Sequence, residues 1–139
     1  MNSKILNIKT CILLLLSFLI AACSSPKKAI YETTANDVAQ IELVIRKNQK
    51  FELYFKDLSE RPEKRYKFKG SWSERKDRIQ LNFHLDKNGL PDIKALFDPS
   101  LTEVKSVRII DNKTVEFKKT DKMIYIWGLS CPKADLEKK

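Results

Sequence analysis

The sequence predicts an all-β domain, an antiparallel meander forming a small barrel or curled sandwich with a short helical insertion. Three observations carry this expectation. Apolar residues recur at every second position in successive short segments, which sets one face of each against a core and the other in water. The segments are joined by polar stretches rich in Asp, Asn, Ser and Lys, the chemistry of turns. A single region, Asp86 to Val104, interrupts the rhythm.

In chain order, Ile41, Leu43 and Ile45 alternate with Glu42, Val44 and Arg46, and Lys47-Asn48-Gln49-Lys50 turns the chain. Phe51, Leu53 and Phe55 then alternate with Glu52, Tyr54 and Lys56. Beyond the charged loop Ser59–Arg65, the residues Tyr66, Phe68, Gly70 and Trp72 share one face. Ile79, Leu81, Phe83 and Leu85 repeat the pattern against Gln80, Asn82 and His84. Asp86 to Pro91 has turn composition, followed by Ile93, Leu96 and Phe97 at helical spacing, and Asp98-Pro99 stops them. Ser100-Leu101-Thr102-Glu103 has the form of a capping box, so one or two helical turns are expected to plug or cover the sheet. Val107 and Ile109, Val115 and Phe117, and Met123 to Trp127 supply three more strands, about seven in all. The last is apolar on both faces and is expected to be central or covered. Three glycines are few for two-residue hairpins, so longer turns built on Asn and Asp are expected.

The N-terminus carries a different signal. Lys4 and Lys9 precede the apolar run Cys11–Ala22, the layout of a secretory signal peptide. The run has 12 residues, whereas a membrane span needs about 20. Leu19-Ile20-Ala21-Ala22-Cys23 resembles the lipobox of bacterial lipoproteins. That resemblance implies that the Cys23 thiol receives a diacylglyceryl group and that the chain is cut before it, with Ile20, Ala21 and Ala22 as signal-peptidase recognition residues. The freed amine is then acylated. Two or more acyl chains anchor a protein stably, where one holds it marginally. Ser24 after the cysteine, with no Asp nearby, resembles lipoproteins sent on to the outer membrane, and the basic tether favours the periplasmic side.

The division that follows is a signal peptide at 1–22, a lipidated N-terminus and tether at 23–37, a β domain at 38–131, and a charged tail at 132–139. The 27 Lys+Arg and 18 Asp+Glu become 25 and 18 once Lys4 and Lys9 leave, a mature net charge of +7. Such a charge attracts anionic lipid, but the basic residues are spread in mixed-sign strings such as Ser73-Glu-Arg-Lys-Asp-Arg78, which read first as solvated surface. Nucleic acid is not expected as a partner, because export separates it from the protein. Cys11 leaves with the signal, Cys23 becomes a thioether, and Cys131 has no partner for an intramolecular disulfide. No cofactor is expected, and no metal, since there is one histidine and no paired-cysteine motif.

Phe51-Glu-Leu-Tyr-Phe55, Tyr66-Lys-Phe-Lys-Gly-Ser-Trp72 and Asp77-Arg-Ile-Gln-Leu81 resemble the hairpins of lipocalin-like envelope lipoproteins, the NlpE-like group among them. The resemblance covers roughly residues 40–85 and implies a fold; the paired cysteines of that group are absent. His84 falls on the polar phase of its strand, without partners to fix an imidazole for catalysis or ligation. Cys131 reads first as a small buried hydrophobe and second as an intermolecular or redox-labile thiol. Phe55, Trp72, Phe83 and Trp127 read as core residues or as the lining of an apolar ligand cavity.

With no nucleophile, base or phosphate-loop motif, an enzyme is not expected. The expected role is a lipid-anchored binding or scaffold module for an amphiphilic ligand or an envelope protein. The alternative is an inhibitor or immunity-type protein acting through the 86–100 loop. The anchor is directly testable: Cys23→Ala should yield an uncleaved precursor or a soluble product in membrane fractionation. A variant that fractionates and migrates like the wild type would remove the anchor from the account.

Overall fold

The structure, a computed structural model, describes residues 25–138. The signal peptide and the lipobox, including Cys23, lie outside the described residues. The strands are β1 (Lys27–Glu32), β2 (Ala39–Arg46), β3 (Lys50–Asp57), β4 (Lys64–Arg75) and β5 (Arg78–Phe83). The helix α1 (Ile93–Leu96) follows, then β6 (Val107–Ile109), β7 (Thr114–Lys118), β8 (Met123–Ile126) and β9 (Leu129–Pro132). Single 3-10 turns occupy Pro99–Leu101 and Leu136–Lys138.

Seven strands form one antiparallel sheet in the order β1-β2-β3-β4-β5-β7-β6. The period-two residues land as their spacing requires. Leu43, Leu53, Leu81, Val115 and Phe117 are fully buried on the core face, and Tyr31, Phe51 and Phe83 join them. Burying side chains of this size contributes about 1.5–3 kcal/mol each. The Phe51 and Phe83 rings meet edge-on at 4.8 Å, and Tyr31 and Phe117 do so at 5.4 Å. Phe51 lies opposite Gly70, where a Cβ would overlap the Asn82 carbonyl and the Phe51 ring. Only glycine lets β4 pass so close to its neighbours.

The mainly antiparallel, curled architecture is the one expected, but the sheet does not close into a barrel. Among the described residues β1 pairs only with β2 and with a single bridge from Tyr31 to Lys133, and β6 pairs only with β7. The β8–β9 hairpin fills the space between these edges, with Tyr31 Oη donating to the Asp121 carbonyl at 3.2 Å. Burial pushes the Tyr31 phenol up to about 12, with Asp121 adding to the shift. Its contribution to stability is therefore complete below about pH 10 and is lost as the pH rises through about 12.

Several expectations are corrected. Strand β1 lies inside the stretch 23–37 assigned to a tether; Ala29, Ile30 and Tyr31 are all buried, so no alternation marked it. The tail assigned to 132–139 begins inside β9 and is docked, the Ala134 N–H donating to the Ile30 carbonyl at 2.8 Å. The expected meander is present, with one exchange at its end, where β7 lies beside β5 and β6 takes the edge. The capping box does not form: Asp92 caps α1, Asp98 caps the following 3-10 turn, and Ser100 sits within it. Two-residue turns occur twice, at Lys76-Asp77 and Trp127-Gly128. The strand expected at 123–127 ends at Ile126, and its faces alternate from exposed Met123 to buried Ile124 and Ile126. Trp127 is thus neither in a strand nor buried.

Cys131 is fully buried within β9, its Sγ donating to the Leu129 carbonyl at 3.7 Å, and burial pushes its thiol up to about 12. The exposed edge strand β6 is three residues long and carries Arg108 at its centre, two features that discourage edge-to-edge association.

Candidate apolar binding cleft

The core filling gives out at one end of the concave face. Near the end of strand β3 Phe55 stands opposite Tyr66 of β4, and Phe68 stands opposite Leu53. Because paired residues share a face, these rings all point to the concave side. Phe68 and Tyr66 stack at 6.0 Å, Tyr66 meets Phe55 at 6.1 Å, and Phe55 meets Trp127 edge-on at 5.0 Å. The far wall comes from the 86–100 segment, through Leu90, Pro91 and Leu96. The result is an open cleft of about 260 Å³. Tyr66 and Leu90 are 41% and 42% exposed at its rim, whereas Phe55 is buried at its floor.

Trp127 closes the row in an unusual way. It occupies the first position of the β8–β9 turn with φ +53°, and Gly128 follows at φ +73°. Two successive left-handed residues are the signature of the tight hairpin turn that normally takes Asn-Gly. A bulky residue held there costs about 1–3 kcal/mol of backbone strain. What holds it is local: its N–H donates to the Leu96 carbonyl at 2.6 Å, and its ring packs on Phe55. The strained position presents a partly buried indole to the cleft.

Two carboxylates, Asp57 and Asp92, border the apolar lining. Hydrogen bonds from the Ser59 hydroxyl and N–H hold the Asp57 carboxyl below the usual carboxylate range, so that border stays anionic. The Asp92 Oδ1 accepts from the Lys94 and Ala95 N–H groups at 3.0 and 3.3 Å.

Of the four residues read from sequence as candidate cavity lining, the fold brings two together, Phe55 and Trp127. Phe83 packs in the core between Phe51 and Phe97. Trp72 lies at the other end of the sheet, its indole N–H donating to the Arg46 carbonyl at 2.7 Å under the Lys28 ammonium. The residues that sequence reading missed as site residues are Tyr66, Phe68, Leu90, Pro91 and Leu96. The matching phases of Phe51-x-Leu-x-Phe55 and Tyr66-x-Phe68 held a signal for the first two. His84 is exposed, away from the cleft, with its backbone N–H donating to the Lys69 carbonyl at 2.9 Å. Among the described residues, no group of three His, Cys, Asp or Glu side chains is placed to hold a metal, and no helix is long and apolar enough to cross a membrane.

A strained, partly buried residue and a fully buried one respond differently to truncation. Trp127→Asn places a residue suited to the left-handed turn, and the relief of strain offsets part of the loss of the Phe55 contact and of the indole's packing against the core. Denaturant unfolding should find it less costly than Phe83→Ala, which costs about 3–5 kcal/mol. Equal large losses for both would make Trp127 a core residue. No protein-family model, curated protein or solved structure matches this chain.

Proposed function

We propose that this protein is a lipid-anchored, non-enzymatic module of the bacterial envelope whose aromatic cleft takes an apolar segment of a partner protein. The observation that carries the reading is Trp127, a large aromatic in a strained conformation, partly buried at the end of the row Phe68–Tyr66–Phe55. Strain of this kind concentrates at ligand-holding positions, and Trp and Tyr are enriched among the residues that dominate recognition once a partner covers them.

The volume favours a protein partner over an amphiphile. About 260 Å³ accommodates an anchoring side chain but falls below the roughly 300–1,000 Å³ of sites that engulf a small molecule. The acidic border of Asp57 and Asp92 complements an apolar anchor flanked by Lys or Arg. An inhibitor acting through a protruding 86–100 loop has less support, since Pro91, Ile93, Leu96 and Phe97 are buried and the segment serves as a wall. Attachment through acylated Cys23 rests on the lipobox.

Photo-crosslinking in intact cells tests the reading. A photoreactive phenylalanine at position 66 or 90 should give the same discrete protein adduct, absent from position 110 and lost when Trp127→Asn is added. Adducts to lipid in place of protein would assign the cleft to an amphiphile. Identical adducts from positions 66, 90 and 110 would remove the cleft from the function.

A further inference from the structure

A second surface lies at the opposite end of β3, on the outer face of the sheet. Pairing sets Lys69 opposite Glu52 and Lys50 opposite Ser71. Ser25 reaches across the β2–β3 turn, its carbonyl accepting from the Arg46 guanidinium at 3.0 Å and its hydroxyl from the Asn48 N–H at 3.1 Å. Ser25, Arg46, Asn48, Lys50, Glu52 and Lys69, with Lys67 and His84, line an open depression of about 510 Å³.

Its charge is unbalanced. Glu52 is the one carboxylate in the lining, and it accepts from Arg46 and from Lys67, each at 2.9 Å. Four fixed positive charges, Arg46, Lys50, Lys67 and Lys69, therefore face one negative charge. Among the described residues, Lys50 and Lys69 have no carboxylate at ion-pair distance, whereas Lys28, Lys56, Lys64 and Lys119 all do. The depression lies where the chain enters the fold, beside Ser25.

That entry point identifies what the surface meets. Ser25 follows Cys23 by two residues, and two residues reach at most about 7 Å. A cysteine whose acyl chains lie in a bilayer would hold the depression at headgroup level. We propose that this depression is a headgroup-docking surface that seats the domain on the phosphates of anionic phospholipids, with Lys50 and Lys69 supplying the uncompensated charge. The proposal rests on the lipoprotein reading for its orientation, but not for its chemistry. Each lysine close to an anionic leaflet contributes about fivefold in affinity.

The test uses residues 23–139 produced without acylation, which include every described element of the fold, so that binding does not depend on the anchor. The protein should co-sediment with vesicles of phosphatidylcholine containing phosphatidylglycerol and not with phosphatidylcholine alone. Salt at about 0.5 M should release it. Lys50→Glu with Lys69→Glu should weaken binding about 25-fold or more. Arg61→Glu with Lys94→Glu makes the same change in net charge at the other end of the strands and should stay within about twofold. Circular dichroism confirms that each variant is folded, and Lys50→Gln with Lys69→Gln provides a milder pair. No preference for phosphatidylglycerol, wild-type binding by the Lys50/Lys69 variants, or equal losses in both glutamate pairs would overturn the proposal. So would displacement by low concentrations of inorganic phosphate, which would mark a site for the free anion. Failure to find acylated Cys23 in cells would break the anchor reading and leave the vesicle result standing.

Discussion

A sheet that curls without closing has a concave face that strands alone cannot fill, and most of this structure follows from that constraint. With β1 and β6 left as edges, the apolar faces of Leu43, Leu53, Leu81 and Val115 need cover from elsewhere in the chain. The cover comes from α1, through Ile93, Leu96 and Phe97, and from the β8–β9 hairpin, through Ile124, Ile126 and Cys131. Both insertions are short. They are tied to each other by the Trp127 N–H bond to Leu96 and extend only to the level of Phe55. At that level Tyr66 remains open and Phe68 only partly covered, and the cleft is what the filling leaves behind.

The same geometry separates the two surfaces. From Lys50 to Asp57 strand β3 rises roughly 23 Å, at about 3.3 Å per residue. That is more than two Debye lengths at about 8 Å under physiological salt, so the basic end does not disturb the acidic border of the cleft. Within the basic end, the ion pairs to Glu52 do more than neutralise charge. The hydrogen bonds from Lys67 and Arg46, with a smaller one from Tyr54, lower the Glu52 carboxyl to about 2. Glu52 therefore contributes stability that is complete above its ordinary range near pH 4.5 and fades only as the pH falls through about 2.

Much of the fold was legible because its residues obey a strict period. Ile41, Leu43 and Ile45, then Phe51, Leu53 and Phe55, then Ile79, Leu81 and Phe83 each announce one buried face, and those strands lie where the alternation puts them. Strand β1 was hidden because Ala29-Ile30-Tyr31 is buried on both faces, so the alternation disappears. The β8–β9 hairpin was hidden because its turn is Trp-Gly in place of Asn-Gly, and because β9 is four residues long and ends in proline. The cleft was half legible: Phe55 and Trp127 stood out as large aromatics, but the wall of Leu90, Pro91 and Leu96 depends on where an irregular segment docks. The basic depression was less legible still. Lys50, Lys67 and Lys69 look like any solvated strand face until register brings them beside Arg46 and the start of the chain.

The central claim is one of polarity: charge toward the membrane, the aromatic cleft away from it. The most direct measurement places nitroxide labels at Asn48→Cys and Leu90→Cys in the acylated protein, bound to vesicles whose headgroups chelate nickel. The buried Cys131 stays unlabelled in the folded state. The account predicts strong relaxation of the label at position 48 and little at position 90. Equal relaxation at the two positions, or the reverse order, would contradict it.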